Sequence, residues 1–528
     1  MKKYIRWAGS IILSPIILFF LVCTLLYIPT IQNYLVKIAT NYLSETTGMQ
    51  ISIKRISLEF PLDVVIHQPL LVDNQDTILY AKRLTASVQA IPLIKKQIEI
   101  NELSIQEAFV NSTDLIEGMT LKGELGKLLI ASHGISLNKE TATIDKLELN
   151  NTHLSLCLND TSTTDTTSSS PLPWKIDLCK ADLNDISFAM QMPLDTLNLT
   201  ASLRNASIKN GIIDLSQPNY RIEAISLTDG TFQLDKNNSP VLTTGLDPSH
   251  LYITNLNLHA DSILYSERAI QANLSKLNLK ERSGIEITSV KGIIKTTGNN
   301  IIIPTFELNT TDSYMNIYAS SGFNILNNPK ENMSFRLSAE IGKNDLFKFI
   351  PGITSDITKN YPSSPLQVKA GIDGNLNQID LTSLSIQIPQ IIRTEAKGYI
   401  NSPLDDAQRN GNLMLSLETY NMRSFEKMME NVSLPAGIQL VGNAKINGYQ
   451  LSTDVLLNIK NRKNAYLTAE YNQQTERYMA DLQIDSLNIH HFLPNDSLYE
   501  VNASAHVEGK GFDSFSPQTS IVFTGNIS

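Results

Sequence analysis

The chain has 528 residues, more than one compact core holds, so its length predicts several domains or one long repetitive element. Its 43 basic and 52 acidic residues give a formal charge of −9, and without a basic stripe this excludes a general affinity for nucleic acid. Three cysteines are too few for a disulfide framework. No motif of a metal-dependent, nucleophilic or nucleotide-binding enzyme occurs, so we expect neither catalysis nor a bound cofactor or metal.

The first thirty residues predict a membrane anchor. Residues 1–6 carry three basic side chains, whereas residues 7–28 carry no charge and would span about 33 Å as a helix, enough for the hydrocarbon core. The positive-inside rule then leaves residues 1–6 in the cytoplasm and exports the rest. The alternative is a cleaved signal peptide, which normally has a shorter apolar region and small residues at the cut. The predicted anchor residues are Trp7, Ile11, Ile12, Leu13, Ile16, Ile17, Leu18, Phe19, Phe20, Leu21, Val22, Leu25, Leu26 and Tyr27.

An amphipathic helix is predicted directly after the anchor, over residues 29–48. Ile31, Tyr34, Leu35 and Ile38 recur at three- and four-residue spacing, and Gly48 provides a C-terminal stop. The apolar side of this helix could lie on the membrane surface or cap the sheet that follows. We favour the cap, because a strand pattern starts immediately after Gly48.

From residue 49 onward, apolar residues recur with a period of two. Stretches such as 147–149 and 256–258 alternate Leu with polar residues, and the phase slips once at 150–153. The polar partners are mostly Ser, Thr, Asn and Lys, so each strand has one apolar and one solvated face. We therefore predict a mostly β protein, in which residues 49–528 form an elongated, curled antiparallel β-sheet groove with a few short helices. Residues 159–173 are predicted to be a flexible polar loop.

A weak internal repeat supports a stacked architecture. Three short apolar segments with helical character are each followed by a glycine-containing strand, at a spacing of about 65–80 residues. The helical segments are 345–351, 423–429 and 489–494. The strands are 370–374, 442–448 and 507–511.

Cys157 and Cys179 are the two cysteines that follow the predicted anchor. In an oxidising compartment they could form a disulfide. Two separate thiols are an equally good interpretation of the sequence.

The order of these features resembles the N-terminal part of a TamB-type protein within the AsmA-like group. The matching stretches are 51–62, 71–73, 76–81 and 274–308, in that order after the membrane start. The resemblance implies an anchor in the inner membrane of a Gram-negative cell and a groove that carries lipid acyl chains through the periplasm. It also implies a role in building the outer membrane. The resemblance further implies a C-terminal domain that meets an Omp85-class outer-membrane partner. We do not expect this domain within the 528 residues, so the sequence is interpreted either as a fragment of a longer chain or as a truncated form.

The expected function is therefore carriage of phospholipid acyl chains on an apolar groove between the two membranes. The alternative is an envelope scaffold or chaperone for outer-membrane protein assembly and secretion, which would pair its sheet edge with an Omp85-class partner. From the residues alone, the apolar faces could also pack on each other in closed sandwiches. The residues predicted to line a groove are Leu154, Leu156, Leu158, Leu197, Leu199, Leu256, Leu258, Ile386, Ile388, Leu413, Leu415, Leu417 and Leu457.

Overall fold

The structure is a computed structural model in which part of the chain is described. The predicted anchor lies outside the described residues except at Leu21, Thr24, Leu25 and Ile28, and the predicted polar loop lies outside them except at Asn159. None of the helices within the described residues is long and apolar enough to cross a membrane. The described residues are 21, 24–25, 28–47, 49–59, 63–73, 76–88, 100–112, 118–136, 140–159, 174–217, 219–350, 352–353, 355–428, 432–460, 462–495, 499–511 and 520–527.

The chain divides into two compact units. The first comprises Met1–Val241, Asp247–Ala272 and Lys276–Arg282. The second comprises Leu242–Leu246, Asn273–Ser275 and Ser283–Ser528. The sequence predicted one uninterrupted groove here, because the division falls partly inside a strand and no change of period or composition marks it.

The first unit begins with helix α1, Pro29–Thr47, and continues as open, curled β-sheet. Each strand from β1 to β9 pairs with the next along the chain. The strands are β1 Gln50–Glu59, β2 Asp63–Asp73, β3 Asp76–Val88, β4 Ile100–Asn111, β5 Met119–Ser136, β6 Thr141–Leu158, β7 Lys175–Met192, β8 Leu197–Asp214, β9 Asn219–Lys236, β10 His250–Ser266 and β11 Ala269–Glu281.

Helix α1 lies beside β1, where the backbone N–H of Ile51 donates to Ser44 Oγ at 3.2 Å. Tyr34 and Ile38, from the predicted apolar side of the helix, are 66% and 50% exposed. These two side chains therefore do not serve as the contact between the helix and the sheet.

A line of irregular residues crosses the long strands of the first unit. β5 to β9 have 18 residues each, and the alternation slips by one residue near the middle of these strands. The register between β6 and β9 does not shift there, because each strand carries one irregular residue opposite that of its neighbour. A positive φ interrupts the extended backbone, so a line of such residues bends neighbouring strands at the same level. The residues at this line with φ between +48° and +53° are Gln68, Glu107, Asn151, Asp185, Asp229 and Asn255.

One pair of strands departs from the predicted antiparallel arrangement. β6 and β7 are parallel, with Thr141 opposite Lys175 and Cys157 opposite Gln191. A parallel pair needs a connection of a dozen residues or more, and residues 159–174 provide that length. The register also shows whether Cys157 and Cys179 can form a disulfide. Cys179 lies twelve residues before Gln191, which places it about 40 Å from Cys157, far beyond disulfide reach, and both thiols are free.

The second unit is a run of shorter antiparallel strands, each paired with the next. They are β12 Glu286–Thr297, β13 Asn300–Thr310, β14 Tyr314–Gly322, β15 Met333–Ile341, β16 Leu366–Asn375, β17 Gln378–Ile388, β18 Ile392–Asn401, β19 Asn410–Thr419, β20 Ile438–Asn447, β21 Gln450–Ile459, β22 Arg462–Asn472, β23 Arg477–Asn488, β24 Glu500–Lys510 and β25 Ser520–Ile527.

Short helices interrupt the second unit after every fourth strand. They are α2 Lys343–Phe349 and α3 Ser355–Asn360 after β15, α4 Arg423–Glu426 after β19, and a 3-10 turn, Ile489–His491, after β23. Each predicted helical segment overlaps one of these helices, and each predicted glycine-containing strand overlaps β16, β20 or β24. Because antiparallel strands alternate in direction, an interval of four strands returns the chain to the same end of the sheet. All these helices therefore lie along one border of the second unit.

Candidate lipid-binding face

The strand register shows which side chains of the second unit share a face. Residues directly opposite each other in neighbouring antiparallel strands point to the same side of the sheet. Starting from Leu415, the opposite residues are Ala396 on β18 and Gly442 on β20. Following each pairing outward produces continuous rows that cross the strands from β13 to β24.

Four such rows, numbered from the border without helices, make up an apolar face. Row 1 is Ile301, Ser321, Met333, Gly374, Ile379, Ile400, Gly411, Ile446, Leu451, Tyr471, Tyr478 and Gly509. Row 2 is Ile303, Ala319, Phe335, Ile372, Leu381, Gly398, Leu413, Ala444, Thr453, Ala469, Ala480 and Val507. Row 3 is Phe306, Ile317, Leu337, Ala370, Leu384, Ala396, Leu415, Gly442, Val455, Leu467, Leu482 and Ala505. Row 4 is Leu308, Met315, Ala339, Val368, Ile386, Thr394, Leu417, Leu440, Leu457, Ala465, Ile484 and Ala503.

No charged residue occurs in rows 1 to 4, although 18% of the chain is charged. Much of this face is also accessible. Leu413, Leu415 and Ile386 are 40%, 41% and 37% exposed. An uncharged surface that is several strands wide and partly exposed is the kind of patch that marks an interaction site.

A shallow depression of about 300 Å³ lies in rows 1 and 2, where two glycines replace side chains. A Cβ at Gly398 would lie 2.1 Å from the carbonyl oxygen of Asn412, and one at Gly411 would lie 2.5 Å from that of Tyr399. Apolar side chains, including those of Leu381 and Leu413, surround it. The depression is therefore a part of the apolar face where a ligand could approach the backbone.

Helices cover the far edge of the face, beyond row 4. Under α4, Ile388 and Ile391 pack with Met422, and Phe425 and Leu434 contact this cluster. Under the 3-10 turn, a second cluster is formed by Ile438, Ile459 and Leu487, against which Ile489 and Phe492 pack. We call this covered edge the helix border.

One residue predicted to line the groove belongs to this border. Ile388 is only 5% exposed, because Met422 and its neighbours cover it. It follows Ile386 in the same alternation, so the sequence pattern could not separate the two. Only the position of α4 makes Ile386 accessible and Ile388 buried.

A buried carboxylate attaches α2 to the sheet. Asp345 is fully buried and accepts hydrogen bonds from the hydroxyls of Thr310 and Ser313, the latter at 2.8 Å, with Lys348 Nζ at 3.5 Å. Burial raises the pKa of this carboxyl, but the two hydroxyls and the Lys348 ammonium outweigh it, so the pKa of Asp345 lies below its usual value.

Asp345→Asn is expected to destabilise the second unit by about 1–3 kcal/mol, because one or both hydroxyls lose a charged acceptor in a buried site. Since the pKa is lowered on folding, the stabilisation is present above the unfolded pKa of about 3.9 and is lost as the pH falls through the folded value. Urea unfolding followed by circular dichroism between pH 3 and 7 measures both effects. Asp356→Asn, in the exposed first turn of α3, is the matched control and should change neither.

The opposite face of the second unit is mainly polar. Between rows 3 and 4 it carries Glu307, Lys369, Glu395 and Ser416. Ion pairs lie on this face, such as Arg336 with Asp373 at 2.6 Å and Arg393 with Glu395. The hydrogen bond to Asp481 raises the pKa of His506 on the same side. These exposed pairs contribute little stability but keep the face solvated.

The polar face has one apolar stretch that the alternation did not predict. Val441, Leu456 and Tyr466 are directly opposite one another on β20, β21 and β22. Val441 is 49% exposed. Residues 455–457 of β21 are three consecutive apolar residues, so the alternation of apolar and polar positions did not reveal this row.

The first unit has a similar pair of faces. Opposite residues form uncharged apolar rows on both sides of the line of irregular residues, and next to that line Leu203 and Leu256 are both opposite Gly230. On the other face Asn150, Asn184 and Asn205 form a ladder of side-chain hydrogen bonds of 2.7 Å. Three of the apolar rows are Leu121, Leu156, Met190, Leu199, Leu234 and Leu251; Gly123, Leu154, Phe188, Ala201, Phe232 and Ile253; and Leu128, Leu149, Leu183, Ala206, Leu227 and Leu258.

The residues predicted to line a groove share the apolar face of their own unit. In the first unit Leu154, Leu156, Leu199 and Leu258 lie in the rows given above. Leu158 and Leu197 continue the alternation at the strand ends, and Leu256 is opposite Gly230. In the second unit Leu413 lies in row 2, Leu415 in row 3, and Ile386, Leu417 and Leu457 in row 4. The alternation missed most of the small members, such as Gly398 and Gly442, because glycine carries no hydrophobic signal.

Comparison of the chain with models of known protein families and with curated protein sequences finds no match. Among the described residues, no cluster of three or more His, Cys, Asp or Glu side chains is arranged to hold a metal ion. The apolar faces are therefore the features from which a function can be argued.

Proposed function

We propose that this protein carries phospholipids on its apolar faces between the inner and outer membranes of a Gram-negative cell, and so contributes to outer-membrane biogenesis. The supporting observation is the set of four uncharged rows in the second unit, whose central leucines remain about 40% exposed. The N-terminal sequence provides the expected inner-membrane anchor, and acyl chains are the proposed ligand.

The dimensions of the face suit an acyl chain. Row 1 and row 4 are six residues apart along a strand, so the face is about 20 Å wide. The hydrocarbon of one bilayer leaflet is about 15 Å thick. Each methylene removed from water contributes about 0.8 kcal/mol, so affinity needs no specific polar contact. From β13 to β24 the rows extend over about 53 Å, with nearly equivalent positions at every strand. Equivalent positions allow a lipid to move from strand to strand without a large barrier.

Site-specific photo-crosslinking in cells tests the proposal. Leu415 and Met414 are adjacent on β19 and almost equally exposed, at 41% and 45%, but they point to opposite faces. A photoreactive amino acid at position 415 is expected to form phospholipid adducts, because the apolar face holds acyl chains. The same residue at position 414 is the matched control and should form few.

Adducts are detected by radiolabelling the phospholipids and purifying the protein under denaturing conditions. Equal labelling at 414 and 415 would mean that lipid contact does not depend on the apolar face. Absence of lipid at both positions, with adducts to envelope proteins instead, would favour the scaffold function.

A further inference from the structure

We infer that lipids lie across the second unit in one orientation, with the acyl chain ends toward the helix border and the headgroups at the opposite border, where row 1 lies. This inference rests on the proposed function. It adds a direction that neither the alternation of the sequence nor an apolar face by itself provides.

The helix border is closed along its length. The rings of Phe347 and Tyr361 are in edge contact with centroids 5.1 Å apart, and Tyr361 contacts Phe425 in the same way at 6.2 Å. Farther along, the backbone N–H of Ser433 donates to the carbonyl oxygen of Phe492 at 2.8 Å. These contacts join the segments after β15, β19 and β23 into one continuous wall.

The wall is apolar where it meets the face. Met422 is 8% exposed, and Phe425, Leu434 and Phe492 pack onto buried strand residues. A phosphate headgroup placed against these apolar side chains would lose its water, which costs several kcal/mol, because the cationic side chains of the border, such as Arg423 and Lys427, are exposed to solvent and not among them. The methyl end of an acyl chain has no such cost.

The opposite border is open and mainly polar, with Leu326 and Leu404 as exposed apolar side chains in its connections. Within the described residues its strand connections contain no helix, and residues 473–476 between β22 and β23 are exposed. Row 1 also places Tyr471 directly opposite Tyr478. Tyrosine, with an apolar ring and a polar hydroxyl, suits the boundary between hydrocarbon and headgroup. The headgroups are therefore assigned to this border, where they remain in water.

Two phosphatidylcholine probes test the orientation on the full-length protein in membranes. One carries a diazirine at the terminal carbon of an acyl chain, and the other carries it on the acyl carbon nearest the glycerol. After irradiation, mass spectrometry locates the labelled residues. The terminal probe is expected to label mainly Phe425, Leu434 and Phe492, and the glycerol-proximal probe mainly Ile400, Tyr471 and Tyr478.

The outcomes separate this inference from the proposed function. If both probes label the two borders equally, or in the reverse pattern, the orientation is overturned while lipid carriage stands. If neither probe labels rows 1 to 4 or the helix border, lipid carriage itself fails, and the orientation fails with it. The wild-type chain is used throughout, so a folding defect cannot imitate either result.

Discussion

Leu415→Glu is expected to lower phospholipid occupancy at β19 by about 100-fold, since a charge in a hydrocarbon environment costs about 2.5–3.5 kcal/mol and 1.4 kcal/mol corresponds to a factor of ten. Leu415 occupies the middle of the apolar face, and its cross-strand neighbours Ala396 and Gly442 offer no partner for a carboxylate. The leucine is 41% exposed, so the folded protein loses little packing. A lipid that travels along the rows must pass this position, and transport should therefore stop.

Met414→Glu is the matched control. Met414 has the same surroundings in sequence, is 45% exposed and points to the polar face opposite Lys397. Lipid adducts at Leu467, three strands away in row 3, are measured in both variants, together with outer-membrane integrity in cells. An equal loss of lipid adducts in the two variants would contradict carriage along the apolar face. Normal adduct formation and normal outer membranes in Leu415→Glu would contradict it as well.

The second prediction concerns the repeating unit of the second unit, which consists of four strands and the short helical segment that follows them. Deletion of residues 366–437, which removes β16 to β19 together with α4, is expected to leave a folded protein. Ile341 would then meet Ile438 in place of Leu366, and Leu337 would meet Gly442 in place of Ala370. The new neighbours are again apolar and small, so both the face and the register survive.

Deletion of only residues 366–391, which removes β16 and β17, is the contrasting variant. It keeps the strand directions but brings α2 and α3 within two strands of α4, about 10 Å along the border. A helix with its side chains is about 10–12 Å wide. The two helices α2 and α3 together therefore need the roughly 19 Å that four strands provide. This variant should therefore aggregate, whereas the longer deletion should remain soluble, resist limited proteolysis and form lipid adducts at Leu467. A soluble two-strand deletion with an aggregated four-strand deletion would show that the repeat is not a structural unit.

The alternation of the sequence was sufficient to predict the strands and which residues share a face. A side chain's face depends only on its position along a strand, and Leu413, Leu415 and Leu417 are placed by counting alone. Three of the four short helical segments were also predictable, since apolar clusters near Phe347, Phe425 and Phe492 interrupt the period of two, whereas α3 was not predicted. The phase slip at 150–153 coincides with Asn151, which has a positive φ in the structure.

Only the tertiary structure decided the features that depend on neighbouring strands. The parallel pairing of β6 with β7 separates Cys157 from Cys179, although nothing in either strand's own sequence states its partner. The division into two units falls where the pattern is unbroken. Ile386 and Ile388 look alike in the alternation, yet one is accessible and the other is buried under Met422. Periodicity is a local property of the chain, whereas register, burial and the closed border come from contacts between residues far apart in sequence. The sequence by itself therefore determined the two faces, and the tertiary structure determined which parts of them a ligand can reach.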